Sequence, residues 1–176
     1  MNRTYREDRR LRPSLRENDA VQTLYYEDIE IPTKFTSTGR TVTETDLTMF
    51  SMMSGDWHPL HCDAEYAKTT QFGQRIVAGI YGFVLVSGAY TKWGVFDDSG
   101  LAMLSIDEWR FHAPILVGDT IHVEMTLVGK RLTSAGDRGV LDRALALVNQ
   151  NGAVVQSGKS ALLVARRPTA ADARPS

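Results

Sequence analysis

The stretch from Ile76 to about Val95 constrains this chain most. Ile76, Val77, Ile80, Phe83, Val84, Val86 and Tyr90 spread around a helical axis, with Gly79, Gly82, Gly88 and Ala89 between them. A helix that is apolar all round belongs in a core. Its glycines cost roughly 1 kcal/mol each relative to alanine, so something must pack closely against its backbone. A sheet wrapped round the helix does that. The segment also holds Tyr81, Ser87, Tyr90, Thr91 and Lys92, so it falls short of the ~20 apolar residues of a membrane span.

The C-terminal half of the chain supplies the sheet. Four strands are expected, near Ala102–His112, Asp119–Leu132, Val140–Asn149 and Ala153–Arg166. In the third, Leu141, Ala144, Leu145 and Leu147 intermix with Asp142 and Arg143. Asn151-Gly152 is a strong hairpin signal, and Gly118-Asp119 and Gly136-Asp137 mark further turns. Upstream, Phe35 to Thr43 is rich in β-branched residues and predicts an early strand. Thr43 with Asp46 three residues on then caps a short helix through Leu47, Phe50 and Met53 that Gly55 stops. Asp63 caps another, reaching Ala67. The order gives an α+β fold in which one curved antiparallel sheet cradles a long central helix. Such a sheet has unpaired edges, and edge-to-edge association removes them. A homodimer or higher homo-oligomer is therefore expected.

The 176 residues suit one domain, and 43% hydrophobic content supports a folded, soluble chain. Charge divides the chain further. Residues 1–18 carry six Arg against Glu7, Asp8 and Glu17, and residues 166–176 carry three Arg against Asp172. With a total of −1, the body is acidic, which argues against nucleic acid as a partner. The reading is a disordered basic tail over 1–18, one domain over 19–166 and a flexible tail over 167–176. The N-terminus lacks the apolar core of a secretory signal, and a single cysteine, Cys62, forbids an intrachain disulfide; both fit the cytoplasm, with no membrane involvement.

Reactive side chains concentrate between Asp56 and Asp63, where Gly and Pro favour a loop. His58, His61 and Cys62 have metal-binding chemistry, but zinc sites gather ligands from two separated places, and none is evident. The same residues can simply tie down a tight loop. Asp56 and His61 can also form an acid/base pair, for which spacing alone is weak evidence.

Ser54-Gly55-Asp56-Trp57-His58-Pro59-Leu60-His61, followed by Asp63 and Ala67, resembles the hydratase-2 motif of the MaoC-like dehydratases, the (R)-specific enoyl-CoA hydratases of the hot-dog fold. Arg75-Ile76-Val77-Ala78-Gly79 and the run from Arg110 to Asp119 match later landmarks of that family in order, so the resemblance covers roughly residues 24–165. It implies a hydro-lyase adding water to, or removing it from, the 2,3 double bond of a 2-enoyl-CoA to give an (R)-3-hydroxyacyl-CoA in fatty-acid metabolism. Asp56 and His61 fall on the catalytic pair. Gly79 falls on the glycine whose N–H faces the thioester oxygen, and Ser87 on a serine near the reactive centre. No metal or separate cofactor is implied, coenzyme A being part of the substrate. Most members of the family carry Asn where this chain has His58, a loop and substrate-binding position, and often His where it has Ala78. Two alternatives share the fold: a dehydratase acting on a carrier-protein thioester, and a non-catalytic subunit that binds an acyl thioester. Thioesterases of this fold often place an acid on the central helix, and this chain has none between Glu65 and Asp97. Trp57, Tyr81, Phe83, Tyr90 and Trp93 suggest a pocket restricted to short or branched acyl groups, unless they are core. Arg75 and Lys92 are nearby cations for the CoA phosphates.

Overall fold

The structure is a computed structural model that describes residues 22–169. After a single helical turn over Tyr26–Asp28 come two short strands, β1 (Thr33–Thr36) and β2 (Arg40–Thr41), in place of the one early strand expected. Three short helices follow: α1 (Glu44–Ser54), α2 (Pro59–Cys62) and α3 (Ala64–Lys68). The long helix α4 (Tyr81–Trp93) then leads into β3 (Gly100–Phe111), β4 (Thr120–Leu132), β5 (Arg138–Val148) and β6 (Val154–Ala165). The strands form one antiparallel sheet in the order β1-β4-β5-β6-β3, with β2 also on β4. This is the α+β hot-dog arrangement that the sequence predicts.

Local chemistry explains the boundaries. Thr43 accepts from the Asp46 amide while the Asp46 carboxylate accepts from the Thr43 amide, a complete capping box. At the other end of α1, Gly55 takes the left-handed conformation (φ +75°) and closes the helix on Ser51. Asp63 caps α3 by accepting from the Tyr66 amide. Gly152 (φ +78°) turns the β5–β6 hairpin, and the Asn149 side chain accepts from the amides of Asn151 and Ala153.

The core lies between the sheet and α4. Met125 and Leu127 of β4, Leu141 and Leu147 of β5, and Val155 and Val164 of β6 are fully buried. Each large apolar side chain so buried contributes about 1.5–3 kcal/mol. Tyr81, Phe83, Leu85, Val86, Ala89 and Trp93 form the buried face of α4.

Three expectations need correction. The helix begins at Tyr81, not Ile76, because Ile76 bridges to Leu116 and the Val77 amide bonds Ile115 in extended conformation. It is also not buried all round: Ile80 and Val84 are about half exposed, and Ser87, Gly88, Thr91 and Lys92 share that open side. The sheet covers one side of the helix only. Finally, Arg167, expected in a flexible tail, is tied down: its amide bonds Glu27, its guanidinium pairs with Asp28 and it lies over the Tyr25 ring. The tail expected at 1–18 and positions 170–176 fall outside the described residues.

Candidate active site

Asp56 follows directly on the α1 cap, and its amide donates to Ser54 Oγ (3.2 Å). Asp56 Oδ1 accepts from the His58 amide (3.3 Å), which leaves Oδ2 free to face His61. His61 sits on α2, a helical turn inside the expected loop, started by Pro59 at its first position. The His61 Nδ1 lies 2.8 Å from the carbonyl oxygen of Ile76. A carbonyl only accepts, so Nδ1 carries the proton, and in the neutral ring Nε2 keeps its lone pair. That Nε2 lies 3.6 Å from Asp56 Oδ2. The distance is long for a direct hydrogen bond and leaves both groups able to engage a third atom. The His61 side chain is 12% exposed and that of Asp56 45%, so one is anchored and the other meets solvent.

His58 acts on the loop. Its Nδ1 accepts from the Leu60 amide (3.2 Å) and so caps α2, a task that an asparagine oxygen performs equally well. Cys62 Sγ donates to the backbone oxygens of Trp57 and His58, so Cys62 braces the same turn. Among the described residues no three His, Cys, Asp or Glu side chains converge in a metal-binding cluster.

The second motif packs against the first. The Ile76 amide donates to Leu60 oxygen (3.3 Å), and on its other side Ile76 bridges to Leu116 in the third motif. Asp119 fixes that third segment by accepting from the Leu116 amide at 2.8 Å. Segments far apart in sequence thus meet around Ile76, three residues before Gly79. Gly79 precedes α4 in a tight turn: Tyr81 bonds back to Ala78, Gly82 to Gly79 and Phe83 to Ile80. No acceptor is found for the Gly79 N–H among the described residues. It lies just before the N-terminal, positive end of a helix of thirteen residues. A Cβ at Gly79 would lie 3.0 Å from the Phe111 ring, so glycine there admits that ring as well as any ligand.

Ser87 is not drawn into this cluster. It lies on the exposed side of α4, and its Oγ donates back to the Phe83 oxygen at 3.4 Å. Tyr81, Phe83 and Trp93 belong to the core, which removes the reason to expect a pocket narrowed by them. Arg75 pairs with Glu44 at 2.5 Å.

Two supports carry no signal in the sequence. The buried Gln156 of β6 accepts from the Trp109 indole (3.1 Å) through Oε1 and donates to the Gly79 carbonyl (2.9 Å) through Nε2. An indole N–H only donates and a carbonyl only accepts, which fixes the amide orientation. Gln156 thereby clamps the Gly79 turn to the sheet. At the other side, Tyr81 donates to Asp46 (2.7 Å) and accepts from Arg40 (2.8 Å), and Arg40 also contacts Asp46. Burial and then the hydrogen bond to Asp46 push the Tyr81 phenol up to about 12. Burial alone would raise Asp46, but the bonds from Tyr81 and Thr43 and the charge of Arg40 hold its carboxyl below the usual value. This network fastens α1, and with it Asp56, to the start of α4.

The family model of the MaoC like domain matches residues 29–144. The chain belongs to the MaoC-like family. It is 34% identical over 129 residues to Protein MaoC of Klebsiella aerogenes; the match covers 71% of this chain and 36% of that protein, so the chain spans about a third of that relative. It is 30% identical over 105 residues to an (R)-specific enoyl-CoA hydratase of Rhodospirillum rubrum, covering 60% of this chain and 70% of the relative. A solved structure of a monoamine oxidase regulatory protein from Archaeoglobus fulgius superposes with a TM-score of 0.78 at 31% identity, covering 84% of this chain and 97% of that one.

Proposed function

We propose that this MaoC-like protein is a hydro-lyase that adds water across the 2,3 double bond of a 2-enoyl-CoA thioester to give an (R)-3-hydroxyacyl-CoA, and that runs the reverse dehydration. The observation that carries the reading is the 3.6 Å approach of His61 Nε2 to Asp56 Oδ2, with His61 Nδ1 held on Ile76. A water held by both groups is oriented and polarised. Its oxygen adds to Cβ as one of its protons passes to the pair, and the pair returns a proton to Cα. Between those events charge builds on the thioester oxygen, and the unpaired Gly79 N–H is the donor that stabilises it. The named (R)-specific hydratase relative supports the same chemistry. The test is loss of enoyl absorbance across trans-2-enoyl-CoAs from crotonyl-CoA upward, with the chirality of the product determined. A substrate panel that is bound but unchanged would sink the proposal.

We also infer a homodimer through β3. Among the described residues this strand pairs only with β6, and Leu101, Met103, Leu104 and Ile106 stand about half exposed along it. A long, apolar, unpaired edge is stabilised by pairing with a second copy. Light scattering on the eluted protein should give twice the chain mass.

A further inference from the structure

Arg143 occupies a position where the fold calls for a hydrophobe. It lies on β5, the central strand, between Leu141 and Leu145, which both point into the core, and it is 2% exposed. Its guanidinium stacks 4.7 Å from the Tyr90 ring. No hydrogen bond or ion pair reaches it among the described residues, and its Nε and Nη2 are sealed from solvent without an acceptor. The neighbours bring no negative charge: the Tyr90 and Ser160 hydroxyls are likewise buried, and they interact with each other rather than neutralising the guanidinium. Ser160 faces Arg143 directly across the β5–β6 ladder.

A cavity of about 260 Å³ opens beside this cluster. Tyr90 and Thr91 of α4, the exposed Gly100–Met103 segment of β3, Arg143 and Leu162 line it, and Asp97 on its rim forms no ion pair with Arg143. A buried cation without a counter-charge is strongly unfavourable, and a planar guanidinium among hydroxyl donors matches a carboxylate in both charge and shape. We propose that this cavity is a carboxylate-binding site, centred on Arg143 with the Tyr90 hydroxyl as a further donor.

Two sources can supply that carboxylate. One is the far end of the substrate's acyl chain, a reading that rests on the proposed hydratase function. From Tyr81 to Tyr90 the helix rises about 14 Å, so the chain joining a thioester at Gly79 to Arg143 has about a dozen carbons. The other is a free carboxylate, acting independently of the thioester.

The experiment is calorimetric titration of the full-length protein and of Arg143→Gln with dodecanedioyl-CoA, dodecanoyl-CoA and free adipate. All three are saturated, so binding is read without turnover. If the acyl chain is the source, dodecanedioyl-CoA binds the wild type about ten- to a hundredfold more tightly than dodecanoyl-CoA, and Arg143→Gln erases the difference. If a free carboxylate is the source, adipate binds the wild type and not Arg143→Gln, while the two thioesters bind alike. Failure of every thioester to bind counts against the hydratase reading and leaves the adipate arm decisive. Equal binding of the two thioesters with no adipate binding overturns the proposal. So does loss of the oligomer in Arg143→Gln with carboxylate binding unchanged, which would give Arg143 to a partner subunit. Should Arg143→Gln fail to fold, Tyr90→Phe serves, with a several-fold weaker carboxylate preference expected and an unchanged one contradictory.

Discussion

Replacing Gln156 with leucine keeps the volume near β6 and removes both hydrogen bonds that hold the Gly79 turn. The Trp109 indole then loses its acceptor, and the Gly79 carbonyl keeps only the 3.2 Å bond from the Gly82 amide. An unsatisfied buried group costs about 1–3 kcal/mol, and the half-satisfied carbonyl falls at the low end, so the expected loss is about 2–4 kcal/mol. For a domain of this size that lowers Tm by about 10 °C. Urea unfolding of the wild type and Gln156→Leu reads the stability directly. The functional consequence is separable: the turn that presents the Gly79 N–H loosens, so kcat should fall about tenfold or more per folded molecule while KM changes little. Unfolding free energies within about 0.5 kcal/mol of each other would refute the clamp. A destabilised variant with unchanged kcat would refute its link to Gly79.

The same geometry sets further outcomes. A Cβ at Gly82 would sit 2.2 Å from Gln156 Oε1, so Gly82→Ala should push that side chain off its two bonds and, in urea unfolding, destabilise about as much as Gln156→Leu. Tyr81→Phe takes a hydrogen bond from the Asp46 carboxylate and should cost about 2 kcal/mol at neutral pH. Asp46 has a lowered folded pKa, so its share of stability is present above its unfolded pKa and disappears as pH falls through the folded one; the wild type and Tyr81→Phe should converge in acid. At the alkaline end the raised Tyr81 phenol contributes stability that is complete below its ordinary value of 10.0 and lost as pH rises towards about 12, a loss that Tyr81→Phe should not show in a pH series of urea titrations.

The elements legible in the sequence are those with local signals. The capping box at Thr43, the Gly55 stop, the Asp63 cap and the Asn151-Gly152 hairpin each depend on residues within a few positions, and each stands where expected. Helix α4 reads too long in the sequence because Ile76 and Val77 are apolar at helical spacing, whereas their partners, Leu116 and Ile115, are distant along the chain. The proximity of Asp56 and His61 is legible through the motif, but their anchors are not. Gln156 reads as an ordinary polar residue of a strand until register places it beneath Gly79. Arg143 shares the alternating face of Leu141, Leu145 and Leu147, so its inward direction is legible, but the lack of a partner for its guanidinium emerges only from the packing around it. His58 combines both situations: the change from asparagine is visible, and its compatibility rests on a capping bond to Leu60.

The rate of enoyl-thioester hydration in the wild type, beside Asp56→Asn and His61→Ala, tests the acid/base pair most directly. Wild-type protein should consume a trans-2-enoyl-CoA, and each variant should lose about 10²–10⁴ of that rate while still binding the thioester. Hydration that survives either substitution at near wild-type rate would contradict the assignment of Asp56 and His61 as the acting pair.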